Sequence, residues 1–194
     1  MKERFFEIFK KNIKREGADK LLEWLEKTDF FIAPASTKYH LAKEGGLLKH
    51  SLNVYDCFRN EVIQYQKMMD GREKLDEATE EKVAIIALLH DICKCNFYET
   101  SYKNQKNEDT GKWEKVPFYS VNDKFPFGHG EKSVFLVERF MRLKIDEAMA
   151  IRWHMGGFDD SVKGGSYGLS SAYENYKLAF LIHIADMKAT YLLE

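Results

Sequence analysis

Four side chains of types that bind transition metals stand in order along the chain: His50, the adjacent pair His90-Asp91, and Asp186. Imidazole nitrogen and carboxylate oxygen together suit iron, manganese, cobalt, nickel or zinc. The His90-Asp91 pair follows the longest apolar run of the chain, Val83 to Leu89. Because a buried carboxylate is costly without a cation or hydrogen-bond donors, this position favours a bound divalent ion.

Each of these side chains must be positioned by a helix. His50, Asp186 and two further histidines, His129 and His154, lie on or next to segments with helical spacing of apolar residues. Helix bundles commonly aim ligands from several helices at one point. A single histidine of this kind is more often a hydrogen-bonded core residue than a ligand. The ordered set is what favours a metal site.

The composition indicates one globular domain over residues 1–194, with 44% hydrophobic and 14% aromatic residues. Thirty basic residues against 31 acidic ones give a net charge of -1, which provides no field strong enough to attract nucleic acid by itself. A local basic groove stays open as an alternative, and duplex DNA is not expected as a partner. Three cysteines argue against a disulfide framework and favour reduced thiols. No stretch resembles a signal peptide or a membrane span, so we expect a cytoplasmic protein.

The expected fold class is all-α with one small inserted β-hairpin. The apolar spacing predicts a second helix that ends near Phe31 and a long helix opened by Gly45-Gly46. Thr79 is the expected N-cap of the apolar helix. A capping box of Ser171 and Glu174 is expected to open the last helix.

The hairpin is predicted at about residues 96–121, which are polar and aromatic, with a turn sequence at 107–111. Aromatic side chains in a hairpin serve to pack on a helical body. They also stack bases in proteins that bind single strands. We expect packing to be their main role here, with base stacking as the alternative.

Three strings carry a resemblance to a known family: Gly45–Ser51 (GGLLKHS), Leu88–Lys94 (LLHDICK) and Ile184–Asp186 (IAD). In this order they resemble the signature of the HD-domain metal-dependent phosphohydrolases, over about residues 34–192. Cys93 stands where the family usually has glycine. Residues 34–46 also resemble the HD domain of OB-fold-linked 3′-to-5′ exoribonucleases. Since this sequence has no OB-fold segment, that substrate does not transfer.

The resemblance implies an HD-type helical bundle and a ligand set for one or two divalent ions. The residues implied for the first ion are His50, His90, Asp91 and Asp186. In a subset of the family, two more histidines hold a second ion, and His129 and His154 occupy those places. Asp91 would then bridge the two ions.

The resemblance further implies hydrolysis of a phosphoester by a metal-activated water, since a bound ion lowers the pKa of water from about 15.7 to about 7. Asp91 and Lys94 are the expected catalytic residues, and Lys94 would also contact the substrate phosphate. Lys132, Arg152 and His40 are further candidates for substrate binding. The expected substrate is a phosphorylated small molecule, a nucleotide or a short oligonucleotide.

Two other functions remain open at the level of the sequence. Some relatives with the same six ligands are di-iron oxygenases, and the ligand set alone does not exclude that chemistry. Lys94 favours hydrolysis, because a phosphate needs a cation. The third possibility is a non-catalytic module that binds a nucleotide, although such proteins usually lose ligands and none is missing here.

Overall fold

The computed structural model describes all residues of the chain, 1–194, and confirms an all-α fold with one inserted hairpin. In chain order the elements are α1 (Lys2–Asn12), α2 (Ala18–Lys27), α3 (Gly46–Asp70), α4 (Glu77–Leu89), β1 (Tyr98–Lys106), β2 (Trp113–Val121), α5 (His129–Glu138), α6 (Ile145–Trp153), α7 (Asp160–Lys163), α8 (Gly168–Asn175) and α9 (Lys177–Lys188). Short 3-10 turns lie at Ile92–Lys94 and Gly156–Phe158, and a π-helical turn lies at Ala189–Leu193. No helix combines the length and the apolar character that crossing a membrane requires.

Helix α4 lies at the centre of the helical body. All seven residues from Val83 to Leu89 are buried, as expected for a helix that is apolar on every side. Helix α3 packs on α4 and α9, and α6 packs on α4, α5 and α9. One cluster of 35 buried residues joins these helices to α1 and α2. The residues that follow α4 therefore emerge inside the protein.

An ion-pair network fastens the N-terminal helices to this core. Arg15, between α1 and α2, donates to both carboxylate oxygens of Glu147 at 2.6 and 2.9 Å and to Glu81 at 2.8 Å. Glu147 is fully buried. Its hydrogen bond with Arg15, together with that of Glu81, outweighs the effect of burial and raises the pKa of the guanidinium. Arg15 thus links the α1–α2 junction to Glu81 in α4 and to Glu147 in α6.

The hairpin pairs its two strands in antiparallel register from Tyr98 opposite Val121 to Lys106 opposite Trp113. The side chain of Asn107 closes the turn by accepting the backbone N–H groups of Asp109 and Thr110. No hairpin residue belongs to the hydrophobic core cluster.

The expected packing of hairpin aromatics on the helical body is wrong for two of them. Tyr102 is 68% exposed and Trp113 is 71% exposed. Tyr102 lies at the middle of β1 and Trp113 lies beside the turn, and no helix covers either ring. Tyr98, at the base of the hairpin, is partly buried.

Three predicted helix boundaries are wrong for local reasons. Helix α2 ends at Lys27, because Thr28 turns to an extended conformation and its hydroxyl accepts the N–H of Phe30. The N-cap of α4 is Asp76, whose carboxylate accepts the N–H of Thr79 at 2.8 Å. The pair Ser171 and Glu174 lies inside α8, and α9 starts only after a break at Tyr176.

Candidate metal centre

Six of the predicted site residues converge at one end of the helical core. They are His50 in the second turn of α3, His90 and Asp91 directly after α4, His129 at the start of α5, His154 directly after α6, and Asp186 in α9. The side chains of His129 and Asp186 are partly exposed, whereas the other four are buried. Solvent therefore reaches the group at His129 and Asp186.

The first half of this group is formed by His50, His90 and Asp186, whose candidate ligand atoms lie within 4.8 Å of one another. His50 Nε2 is 3.2 Å from Asp186 Oδ1 and 3.3 Å from His90 Nε2. Two imidazole nitrogens this close can share at most one proton between them. A cation between them would be coordinated by the lone pairs of both imidazole nitrogens and by the carboxylate.

The two carboxylate oxygens of Asp91 face different histidines. Oδ2 lies 3.5 Å from His90 Nε2 and 3.6 Å from His50 Nε2. Oδ1 lies 2.7 Å from His129 Nε2 and 3.5 Å from His154 Nε2. One carboxylate is thus placed between two pairs of imidazoles, which is the arrangement that a bridging ligand requires.

Backbone carbonyls hold two of the histidines in a ligating orientation. His90 Nδ1 donates to Ala87 O at 2.8 Å, and His154 Nδ1 donates to Ile151 O at 2.7 Å. Since a carbonyl only accepts, the proton is on Nδ1 and the lone pair on Nε2 points to the centre. The buried Nε2 of His154 has no hydrogen-bond partner. A buried lone pair without a donor is costly, so these residues fit a bound cation.

Glu194 binds His50 at Nδ1, the ring nitrogen that faces away from His90 and Asp186, and the sequence did not predict this contact. His50 Nδ1 donates to the two carboxylate oxygens of Glu194, each at 3.1 Å. Asn53 donates to Glu194 Oε1 at 3.0 Å. A carboxylate behind a ligating histidine fixes the ring and raises its basicity. Glu194 belongs to no motif and lies 144 positions from His50, so no signal in the sequence pointed to it.

His40 reaches the edge of the same group. Its ring centroid is 5.0 Å from that of His50, and its buried Nε2 has no partner. The loop is held by Leu41, which has a positive φ of 44° and whose carbonyl accepts the N–H of Ala35 at 3.1 Å. A leucine in this conformation is strained.

Lys94 also lies in the group, held by Asp91. Its Nζ donates to Asp91 Oδ2 at 2.6 Å. Burial alone would lower the pKa of Lys94, but the charge of Asp91 outweighs it and raises that pKa. Tyr98 is close by: burial raises its pKa to about 12, and the charges of Lys94 and Asp91 act on it as well. Lys94 is therefore cationic at neutral pH.

The other two basic candidates for substrate binding, Lys132 and Arg152, pair with carboxylates outside the group of metal-binding side chains. Lys132 is buried, and its Nζ donates to Asp123 at 2.6 Å. Arg152 donates to Asp159 at 2.7 Å and also pairs with Glu131. The structure does not bring either cation into the group of metal-binding side chains.

Cys93, which departs from the family pattern, lies beside His129. Its Sγ is 3.4 Å from His129 Nδ1, and its backbone N–H donates to Ser133 Oγ at 3.2 Å. The backbone of Cys93 has no positive φ, so the local turn does not need a glycine.

The protonation of the imidazoles follows their partners. Burial disfavours a charged His50, but Asp186 and Glu194 outweigh it and raise its pKa to about 9. Burial likewise opposes a charged His129, and Cys93 and Asp91 raise its pKa to about 10. Burial lowers the pKa of His90 to about 3 despite the nearby Asp91. Without an ion, the centre thus holds protons where a cation would sit.

Comparison with known proteins gives one result on family membership. The family model described as HD domain matches residues 47–189. No curated protein and no solved structure matches the chain significantly. The matched range contains all six converging residues and covers most of the chain. The chain therefore belongs to the HD domain family, whose members are generally metal-dependent phosphohydrolases.

Proposed function

We propose that this protein hydrolyses a phosphoester, in a nucleotide or short oligonucleotide, with one or two divalent ions. The observation that carries the proposal is the placement of Asp91 between two pairs of imidazoles, with Lys94 on the same carboxylate. A carboxylate between two cations and a lysine beside them suit a phosphate group, which presents several negatively charged oxygens.

The ligand assignment follows from the two halves of the group. His50, His90, Asp91 and Asp186 would hold a first ion, and Asp91, His129 and His154 a second. The donor set of imidazoles and carboxylates suits iron, manganese, cobalt, nickel or zinc. An ion bound there supplies Lewis acidity and activates water for attack at neutral pH.

The remaining residues position the substrate. Lys94 keeps its proton and presents an ammonium at the centre, so it would bind a phosphate oxygen and stabilise the charge that develops on it. His40 lies beside His50 and its buried Nε2 has no partner, so it would donate to or accept from a substrate bound at the centre. Burial, His50 and Lys94 all lower the pKa of His40, so it would act as a neutral imidazole.

The test is Asp91→Asn, compared with Asp56→Asn as a matched control. Asp56 pairs with Arg4 on the surface and touches none of the candidate ligands. Metal content is measured on the purified proteins, and turnover on a panel of nucleotides and phosphodiesters with manganese, iron, cobalt and nickel. We expect Asp91→Asn to lose metal and at least about 100-fold in turnover, and Asp56→Asn to behave as wild type.

Three outcomes would contradict the proposal. Full turnover and full metal content in Asp91→Asn would show that the site is misassigned. Oxygen consumption by a bound iron pair, with no ester cleaved, would favour an oxygenase. Tight nucleotide binding without turnover under any of these metals would favour a binding module.

A further inference from the structure

We propose that one face of the hairpin binds single-stranded nucleic acid, as a track that leads away from the candidate metal centre. This proposal rests on the phosphoester hydrolysis proposed above, and it names an oligonucleotide as the substrate class of that reaction. Its own basis is the distribution of side chains over the two faces of the hairpin.

Side chains alternate between the faces of a strand, and residues directly opposite each other share a face. The register therefore defines two sets. The first, which we call the aromatic face, consists of Tyr98, Thr100, Tyr102, Asn104, Lys106, Trp113, Lys115, Pro117, Tyr119 and Val121. The second, the opposite face, consists of Glu99, Ser101, Lys103, Gln105, Glu114, Val116, Phe118 and Ser120.

The two faces differ in charge and in aromatic content. The aromatic face carries three tyrosines, one tryptophan and two lysines, and it has no carboxylate. Both acidic residues of the paired strands, Glu99 and Glu114, lie on the opposite face, which has one lysine and one aromatic ring. Proteins that bind a single strand use aromatic rings to stack the bases and cationic side chains, without carboxylates beside them, to neutralise the phosphates.

The outer part of the aromatic face is open to solvent. Tyr102 and Trp113 are largely exposed, and so are Lys106 and Lys115. Positions on one face are spaced at about 6.6 Å along a strand, roughly twice the rise of about 3.4 Å between nucleotides in a duplex strand. A single strand whose bases are separated matches this spacing better than a stacked duplex does.

The inner end of the aromatic face reaches the candidate metal centre. Tyr98 donates its hydroxyl to Ala35 O at 3.2 Å, in the loop that carries His40. Tyr98 also follows Lys94 by only four residues along the chain. From Tyr98 to Lys106 the face extends about 26 Å. A strand with its terminal phosphate at Lys94 would therefore continue onto Tyr98, Tyr119 and Tyr102.

The experiment measures binding without turnover. The full chain is titrated, with chelator present, against a fluorescein-labelled oligothymidylate of about 12 nucleotides, a length within known single-strand site sizes. We expect Tyr102→Ala combined with Trp113→Ala to weaken binding at least about 25-fold, from about 5-fold or more for each stacked base. The matched control is Phe118→Ala on the opposite face, which should bind as wild type.

The lysines are tested by the dependence of binding on salt. Lys106→Ala with Lys115→Ala should reduce the slope of log affinity against log salt by about 1.4, since each neutralised phosphate of a single strand contributes about 0.7. Lys103→Ala on the opposite face should leave the slope unchanged. All substituted side chains are exposed or partly exposed, and circular dichroism checks that each variant is folded.

Several results would overturn the proposal: no binding by the wild type, equal binding of a duplex of the same length, or equal loss in Phe118→Ala. Dimerisation that Trp113→Ala abolishes, without nucleic-acid binding, would assign the face to a second copy of the chain. Hydrolysis of bis(p-nitrophenyl) phosphate, which is too small to reach the hairpin, reports on the proposed function separately. That activity should survive in both aromatic-face variants.

Discussion

At the scale of single residues, the centre is organised by the partners of its imidazoles. His90 and His154 each donate Nδ1–H to the carbonyl three residues earlier, which leaves Nε2 free toward the centre. His50 has a carboxylate, Glu194, in the same role. Groups behind a ligand set its orientation and basicity, and their loss typically costs about 10- to 100-fold in metal affinity.

Glu194→Gln is expected to lower the affinity for a divalent ion by about 10- to 100-fold, because an amide orients His50 less strongly than a carboxylate does. Affinity is measured by competition with a chromogenic chelator. Glu61→Gln is the matched control, since Glu61 pairs with Lys188 on the surface. Equal affinities of the two variants would exclude a positioning role for Glu194.

The affinity for metal is expected to rise with pH. In the ion-free protein the pKa is about 9 for His50 and about 10 for His129, against about 6.5 for an unfolded histidine. These raised values stabilise the ion-free fold fully below about pH 6.5, and that stabilisation is lost as pH rises through about 9 to 10. An ion must displace the same protons.

Calorimetry in buffers of different ionisation enthalpy measures the protons released on metal binding. We expect release at pH 7 to 8, and affinity increasing up to about tenfold per pH unit for each proton displaced. His129→Gln should release fewer protons than wild type. Binding that is independent of pH over this window would show that the imidazoles do not carry these protons.

At the scale of elements, three of the candidate ligands lie where helices begin or end. Asp91 follows α4, His154 follows α6 and His129 opens α5. Helices α5 and α6 approach each other closely at Gly130: a Cβ there would lie 2.1 Å from the carbonyl oxygen of Arg152. This approach brings His129 and His154 together, with ring centroids 5.1 Å apart.

Gly130→Ala is expected to force α5 away from α6 and to destabilise the protein by about 1–3 kcal/mol. The larger effect should fall on the second ion, because His129 is the neighbour of Gly130. Metal stoichiometry and urea unfolding measure the two effects. The control is Gly157→Ala, where a Cβ meets nothing within 4 Å. An unchanged stoichiometry in Gly130→Ala would show that the helix contact does not position His129.

At the scale of the whole molecule, the helical body and the hairpin are built differently. The body shares one core cluster that extends from α1 to Ala189, and the hairpin contributes nothing to it. The chain enters and leaves the hairpin at neighbouring points, where the N–H of Asn122 donates to Phe97 O at 2.9 Å. The body should therefore tolerate loss of the outer hairpin.

Replacement of residues 101–118 by a two-residue turn is expected to shift the midpoint of thermal unfolding by no more than about 4 °C, equivalent to about 1 kcal/mol. Metal content should stay at the wild-type level, since no candidate ligand lies within residues 101–118. Calorimetry and metal analysis provide the measurements. A shortened protein that fails to fold or to bind metal would show that the hairpin is part of the structural core.

Much of the centre could be predicted from the sequence, because its residues lie in short strings whose spacing is local. His50, His90, Asp91 and Asp186 were identified in this way, and the structure brings them together with His129, His154, His40 and Lys94. Their assignment as ligands stays a prediction, as does the single domain over residues 1–194. Membership in the HD domain family is confirmed by the match over residues 47–189.

Only the tertiary structure decided which side chains meet outside the motifs and which stay exposed. Glu194 reaches His50, Asp123 and Asp159 neutralise Lys132 and Arg152, and the outer hairpin aromatics remain uncovered. The sequence by itself identified the six histidine and aspartate side chains that converge at the centre, because each lies in a short string beside a segment with helical spacing. Which charges are free and which faces are open depends on three-dimensional packing, so only the folded structure could show it.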